Sequence, residues 1–179
     1  SSTDDTNDVQ FADAVVVTAE TLMTLESTTG TVVPAGKLTL VAGAGLVLLE
    51  DMTAAASAKP LVIDADLESE GDGTLTVWTG KTVTSNKSDV TITAWDIDLA
   101  GSLTAGTLAI TVHGAEASQT IGLGTTTTDM DISGDELQRM TAGHGLTISS
   151  SVAGSTSLGQ ITAASSSQVQ PLLLFPQSC

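Results

Sequence analysis

The chain of 179 residues carries 21 acidic and 5 basic side chains, which gives a net charge of −16. A field of that sign repels nucleic acid and anionic lipid, and no apolar run is long enough to span a bilayer, so we expect neither nucleic-acid binding nor membrane insertion. Aromatic residues make up only 2% of the sequence, so the composition favours a thin core of stacked aliphatic side chains over a sandwich built around large rings.

The first residues differ from the rest of the chain. Residues 1–8 are polar and acidic, and we predict that they form a mobile N-terminal segment. An apolar run, Val15-Val16-Val17, follows within residues 9–25. A short run of β-branched residues of this kind predicts the first strand.

Short apolar triplets then recur along the chain, with two apolar residues flanking a middle residue that is usually Thr or small. Alternation with a period of two predicts short strands with one buried face. The triplets are Leu38-Thr39-Leu40, Leu61-Val62-Ile63, Leu75-Thr76-Val77, Val90-Thr91-Ile92, Leu108-Ala109-Ile110 and Leu146-Thr147-Ile148.

Two markers predict the length of the repeat. An Asp-x-Asp-apolar motif begins at Asp64, Asp96 and Asp129, and two Gly-Thr-Leu triplets begin at Gly73 and Gly106. Both markers recur at a spacing of about 33 residues, and fixed periods of this length are typical of solenoids, propellers and arrays. Because the apolar residues lack a helical period, we predict an all-β fold. The predicted fold is a right-handed parallel β-solenoid (β-helix) over residues 9–164, with coils of about 33 residues and one short inserted helix.

The inserted helix is predicted by a capping box. Ser133 can act as the N-cap and Glu136 lies three residues later, which is the spacing of that motif. We predict a helix over residues 134–141, with Gly143 as its stop.

The C-terminal segment, residues 165–179, is predicted to contain a linker and an apolar strand or tail. The strand consists of Leu172, Leu173, Leu174 and Phe175. An exposed apolar edge strand promotes aggregation, so these residues must either cap the solenoid or pair with another subunit. The single cysteine, Cys179, is either a free thiol or an intermolecular disulfide.

Several of these segments resemble known surface proteins. They are Gly36-Lys37-Leu38-Thr39-Leu40, Thr91-Ile92-Thr93-Ala94, Asp96-Ile97-Asp98-Leu99, Asp135-Glu136-Leu137-Gln138-Arg139 and Gly145-Leu146-Thr147-Ile148. Together they resemble the filamentous-haemagglutinin and autotransporter-like β-helical proteins, and related repeat proteins of algae and other protists. The resemblance implies an adhesin, wall component or fibre at the cell surface or outside the cell. It transfers no catalytic residue.

Catalytic motifs are absent from the sequence. Both histidines, His113 and His144, neighbour glycine in contexts typical of turns, and no phosphate-binding glycine loop with its downstream Lys-Ser/Thr occurs. Paired carboxylates alone are weak support for glycoside chemistry. We therefore do not expect an enzyme.

The Asp-x-Asp motifs are the candidate metal site. A coil with this constant period would stack Asp64, Asp96 and Asp129 in one column and would stack Asp66, Asp98 and Asp131 in another. Stacked carboxylates either bind a cation or titrate at raised pKa, so Ca²⁺ is the one candidate cofactor. The alternative is a solvated acidic face.

Two polar features remain. The only N-glycosylation sequon is Asn86-Lys87-Ser88, in a polar turn. Thr-x-Thr units occur at 74–76, 82–84 and 91–93. A flat Thr array is typical of ice-binding β-solenoids, but units only a few residues apart are expected on different sides of a coil, where β-propensity also explains them.

The open ends of a solenoid carry unpaired backbone groups and normally need caps. We therefore expect a structural protomer of an extracellular fibre or cell-surface array. It would assemble head-to-tail with copies of itself through its ends and terminal strands, and glycans are further candidate partners. The alternative is a monomeric adhesin or ice-binding fragment of a larger surface protein.

Overall fold

A computed structural model describes residues 7–150, 154–162 and 166–175 of the chain. Within these residues the chain forms short β-strands and one helix, α1 (Gly134–Arg139). The strands in chain order are β1 (Val9–Phe11), β2 (Val15–Ala19), β3 (Met23–Leu25), β4 (Val32–Pro34), β5 (Leu38–Ala42), β6 (Leu46–Leu48), β7 (Met52–Thr53), β8 (Leu61–Asp64), β9 (Thr74–Val77), β10 (Thr82–Thr84), β11 (Val90–Ala94), β12 (Asp96–Leu99), β13 (Ser102–Gly106), β14 (Ile110–Gly114), β15 (Ile121–Leu123), β16 (Met130–Ile132), β17 (Met140–Ala142), β18 (Leu146–Ser149), β19 (Thr156–Leu158) and β20 (Leu172–Phe175).

The strands pair in parallel and form four sheets. Sheet 1 has the order β1-β4-β7-β10-β13-β17, sheet 2 the order β2-β5-β8-β11-β14-β18-β20, sheet 3 the order β3-β6-β9-β12, and sheet 4 the order β16-β15-β19. From β1 to β14 the chain visits sheets 1, 2 and 3 in turn and then returns to the neighbouring strand of sheet 1. The prediction of an all-β parallel fold with a single short helix is confirmed, and this cyclic order fits the predicted β-solenoid.

The separation along the chain between stacked strands is not constant. Val90 pairs with Ile110, whereas Ile110 pairs with Leu146, which lies much further along the chain. The predicted constant repeat length is therefore wrong. The loops between strands vary in length while the strands stay in register, because long surface loops cost little additional closure entropy.

The core lies between the sheets and is built by residue rows that run across the strands. In the central strands of sheet 2, such as β5 and β11, the side chains alternate between buried and partly exposed positions, which is the pattern that the apolar-Thr-apolar triplets predict. Two inner rows result. One is Val15, Leu38, Leu61, Val90, Ile110, Leu146 and Leu172, and the other is Val17, Leu40, Ile63, Ile92, Val112, Ile148 and Leu174.

One predicted strand triplet is displaced. Leu108 and Ala109 lie in a turn, and the strand begins at Ile110. The turn is fixed by Gly106, which adopts a positive φ of 62°, and by the Ala109 N–H, which donates to the Asp89 carboxylate at 3.1 Å. The strand itself still has the apolar-Thr-apolar pattern, as Ile110-Thr111-Val112. The predicted triplet therefore begins two residues too early in the chain.

The capping box of α1 is confirmed. The Glu136 N–H donates to Ser133 Oγ at 3.2 Å, and Glu136 Oε2 accepts from the Ser133 N–H at 2.8 Å. The predicted C-terminal bounds are wrong: the helix ends at Arg139, because Met140 already has extended backbone and begins β17. Gly143 therefore does not stop the helix.

The helix also braces the corner that follows β12. Glu136 Oε1 accepts from the Leu99 N–H at 3.1 Å, and an Arg139 guanidinium N–H donates to the Leu99 carbonyl at 2.8 Å. The charged side chains of α1 thus satisfy both backbone groups of one strand-end residue.

The regular order of strands is first interrupted after β14. The chain reaches β15 first, but β16 is the strand that lies against β12, where the Asp131 N–H donates to Asp96 Oδ1 at 3.3 Å. β15 then lies between β16 and β19. The segment that forms β15 and β16, together with the helix that follows it, accounts for the long separation between Ile110 and Leu146.

Candidate functional site

The candidate site consists of the two ends of the sheets. Within the described residues, β2 and β20 are the terminal strands of sheet 2. Each pairs along one edge only, β2 with β5 and β20 with β18. The N–H and C=O groups that point away from those partners are the ones a further strand can bind.

At the N-terminal end the inner side chains of β2 are incompletely covered. Val15 and Val17 belong to the inner rows but are only partly buried, and both pack against the core. Val16, in the outer row between them, is 63% exposed. Leu22, just before β3, is also exposed. The first coil thus presents apolar side chains at the end of the core.

At the C-terminal end β20 occupies the position that the sequence predicted as a cap or an assembly strand. Leu172 and Leu174 continue the inner rows and are half-buried, while Leu173 is 43% exposed in the outer row. The backbone of Phe175 pairs with Ser149. In this structure the strand pairs with β18 of its own chain and extends the core by one strand. Its other edge has no partner strand among the described residues.

An open apolar hollow of about 430 Å³ lies at the same end. Leu172 and Leu174 line it from β20, and Leu158 and Ile161 line it from β19 and the residues after it. Leu158 stacks on the fully buried Leu123 and yet is 63% exposed. A core-row leucine this exposed marks a core that has no covering layer among the described residues.

Sheet 1 ends differently. The Ala142 N–H, on the outer edge of β17, donates to the Gln168 carbonyl at 2.8 Å, and Val169 is fully buried. Part of the segment predicted as a linker therefore packs on the core and covers this edge. Among the described residues, the uncovered part of the C-terminal end consists of β19, β20 and the hollow between them.

The two ends also differ in charge. Residues 1–26 contain six acidic side chains and no Lys or Arg, whereas residues 140–179 contain no acidic or basic side chain other than His144. When two copies contact each other through unlike ends, the electrostatic repulsion between two acidic ends is avoided.

The structure does not bring the six candidate metal ligands into two columns. Asp64 pairs with Val41 and Thr93, Asp96 with Thr74, and Asp131 with Gly122. The predicted columns required a constant repeat length. That prediction is wrong because the loops between the strands differ in length. Within the described part of the chain, no three His, Cys, Asp or Glu side chains are close enough together to hold a metal ion.

The carboxylates instead satisfy local backbone and hydroxyl groups. Asp66, which is 1% exposed, accepts from the Glu70 and Gly71 N–H groups at 3.3 and 3.2 Å. Asp129 accepts from the N–H and the hydroxyl of Thr120, both at 2.8 Å. Asp98 lies exposed on β12. These contacts fix turns and corners, and the Ca²⁺ site stays a prediction without a ligand set.

Burial perturbs two of these carboxyls. It raises the pKa of Asp64, an effect that the hydrogen bond from the Asp66 N–H opposes and the negative charge of Asp66 reinforces. It also raises the pKa of Asp96, where Glu136 and Asp131 add to the effect and hydrogen bonds from backbone N–H groups oppose it. Both groups therefore favour the protonated form more than a solvated aspartate does.

The histidines are separated in the fold. His113 lies in the outer row of sheet 2, its Nδ1 is 2.6 Å from Ser149 Oγ, and burial lowers its pKa. His144 is exposed in the turn before β18. Among the described residues, no other histidine and no carboxylate forms a hydrogen bond with the His113 ring.

The sequon lies at a corner between sheets 1 and 2. Asn86 and Lys87 have positive φ values of 54° and 57°, and Asn86 Nδ2 donates to the Ala55 carbonyl at 3.2 Å. Ser88 is fully buried, and its hydroxyl accepts from the Lys59 N–H. Asn86 itself is partly exposed, and its glycosylation stays a prediction.

Threonines from neighbouring strands form rows on the outside of two sheets. The three Thr-x-Thr units lie on sheets 3, 1 and 2, as expected for units on different sides of a coil. Single threonines nevertheless align across strands, about 4.8 Å apart as in any sheet. The rows are Thr53, Thr84, Thr104 and Thr141 on sheet 1, and Thr91, Thr111 and Thr147 on sheet 2.

No family model, curated protein or solved structure matches this chain. No helix among the described residues is long and apolar enough to cross a membrane. The sequence placed Val16 in the first strand but did not predict its exposure, and it did not predict Leu158 as an end residue. A valine or leucine in an alternating strand looks the same whether or not a further strand covers it. Cys179 lies outside the described residues.

Proposed function

We propose that the protein is a β-solenoid protomer of an extracellular fibre or cell-surface array, which assembles head-to-tail through the ends of its sheets. The observation that carries the proposal is that β2 and β20, at opposite ends of one parallel sheet, each have one edge without a partner strand among the described residues. Because all strands of the sheet run in one direction, a second copy can add to either end with the same parallel pairing.

Burial and charge support the same arrangement. Val16 and Leu173 are both exposed at the terminal strands, and Leu158 is exposed at the open end of the core. In a head-to-tail contact the acidic N-terminal end meets an end without acidic side chains, whereas a contact between two N-terminal ends brings two acidic surfaces together. Because β2 and β20 lie at opposite ends of sheet 2, each added copy extends the stack of strands and leaves a new end free, so the contact produces filaments instead of a closed ring.

The test is the sedimentation and negative-stain microscopy of the full chain at rising protein concentration. Leu173→Lys should abolish assembly, because a charged side chain on an edge strand blocks strand addition. The matched control is Thr111→Lys, which places the same charge in the same outer row at an interior strand. Equal assembly of the two variants, or a wild-type chain that stays monomeric, would refute the proposal.

Salt gives a second check. The protomer carries a charge of −16, so copies repel each other at low ionic strength. Raising the ionic strength from about 0.02 M to about 0.15 M shortens the Debye length severalfold and should promote assembly. A loss of mass when material from the native source is treated with deglycosylating enzymes would show that glycans are attached to Asn86 or to surface Thr and Ser.

A monomeric ice-binding or adhesive module is the second candidate, and the threonine rows favour it. A row of hydroxyl and methyl groups at strand spacing presents a regular surface on sheet 1. Thermal hysteresis tests the ice-binding form. Thr104→Lys should abolish any hysteresis, whereas Thr24→Lys on sheet 3 should leave it unchanged. Hysteresis in a chain that remains monomeric would favour this candidate over the fibre.

A further inference from the structure

We propose that the head-to-tail joint continues sheet 2 in register, with β20 of one copy pairing with β2 of the next. The pairs are Leu172 with Val15, Leu173 with Val16, Leu174 with Val17, and Phe175 with Thr18. This inference rests on the proposed assembly and adds to it the partner strand, the register and the residues that meet.

The register follows from the residue rows. Within the chain, the inner row that contains Val15 ends at Leu172, and the inner row that contains Val17 ends at Leu174. A shift of the joint by one residue would turn the inner side chains of one strand toward solvent. Only an even register keeps apolar side chains over the core, and the unshifted one aligns both inner rows along their full length.

The outer row gives an independent argument for the same register. It reads Val16, Thr39, Val62, Thr91, Thr111, Thr147 and Leu173 from one end of sheet 2 to the other. Its two terminal members, Val16 and Leu173, are apolar and 63% and 43% exposed, whereas Val62 in the middle of the row is partly buried. In the unshifted joint Val16 and Leu173 become cross-strand neighbours, and each covers the other.

The hollow at the C-terminal end is covered by the same contact. Leu172 and Leu174 form one wall of the hollow, and in this register Val15 and Val17 of the next copy lie directly beyond them. Those two valines are themselves only partly buried in their own chain. Each end therefore supplies apolar side chains at the positions where the other end lacks a covering layer.

The test is disulfide trapping between two full-length chains that each carry one cysteine, in a Cys179→Ser background. Neighbouring positions on paired parallel strands are about 4.8 Å apart, within the range for a disulfide, whereas positions two residues out of register are about 8 Å apart and beyond it. Leu173→Cys mixed with Val16→Cys should give a disulfide-linked dimer under mild oxidation. Leu173→Cys mixed with Thr18→Cys should not.

Each outcome decides a separate point. Cross-linking of Val16→Cys with itself, or of Leu173→Cys with itself, would show contacts between like ends and overturn both the joint and the head-to-tail proposal. Filaments that form without the Leu173–Val16 cross-link, or with the Thr18 cross-link, would overturn the register alone. Chains that fold by circular dichroism but never assemble would overturn the assembly on which the register rests.

Discussion

The middle of sheet 2 and its two ends are built from the same alternating pattern but differ in what covers them. In the middle, Ile92 lies between Ile63 and Val112 and is fully buried. At the ends, Val15, Val17, Leu172 and Leu174 continue the same rows with a neighbour on one side only. The difference shows that the inner-row side chains are fully buried only where both edges of their strand are paired, which is why the proposed assembly uses the ends.

The largest expected effect on stability lies in the middle. Ile92→Ala removes a fully buried side chain and leaves a cavity between two paired strands, which should cost about 2–5 kcal/mol of unfolding free energy. Leu158→Ala at the open end should cost far less in the monomer, because that side chain is mostly exposed. Urea unfolding at protein concentrations below assembly measures both.

Equal destabilisation of the monomer by the two substitutions would contradict this comparison. It would mean that the C-terminal end is as fully packed as the middle. The hollow beside Leu158 would then not be a vacant binding surface.

An intermediate effect is expected where the helix is joined to the stack. Glu136→Ala removes the acceptor for both the Ser133 N–H and the Leu99 N–H. A lost charge-assisted hydrogen bond of this kind costs about 1–3 kcal/mol. Glu136→Gln retains an acceptor oxygen and should cost less. If the two variants unfold at the same urea concentration, the carboxylate does not brace the corner after β12.

The smallest effect is a pH dependence that arises from two partly buried aspartates. Burial raises the pKa of Asp64 and Asp96 in the folded protein. Between the unfolded value and the raised folded value the folded state binds more protons, so these groups increase the free energy of unfolding as the pH falls from neutral toward about 4. The pKa of Asp13 is lowered, mainly by its hydrogen bond to Lys59, so its contribution is lost as the pH falls further.

Thermal melting between pH 7 and pH 4.5 measures this dependence. Asp96→Asn should reduce the rise in melting temperature more than Asp98→Asn does, because the second variant removes a charge from an exposed position of the same strand. An equal reduction in both would assign the rise to the overall negative charge instead of to burial.

The sequence predicted the fold class because alternation of apolar and Thr residues is a property of single strands. Val15, Leu38, Val90 and Leu146 each begin such a strand, and the capping box at Ser133 is equally local. The stacking partners are not local. The nearly even spacing of the three Asp-x-Asp motifs came from loops of unequal length, so it predicted columns that the strand register does not form.

The candidate site shows the same limit. The apolar strand Leu172–Phe175 could be recognised, since two prolines bracket four large apolar residues. Its partner strand β18, and the exposure of Val16 at the opposite end, depend on which strands terminate each sheet. That information becomes available only when the register is known.

The most direct test of assembly through the sheet ends is to mix two variants that are each blocked at one end. Val16→Lys and Leu173→Lys should each be monomeric alone, because each variant lacks one half of the joint. Sedimentation of an equimolar mixture should show a dimer with one copy of each and no larger species, since only one joint per pair remains intact. Filaments from either variant alone, or a mixture that stays monomeric while the wild-type chain assembles, would contradict assembly through β2 and β20.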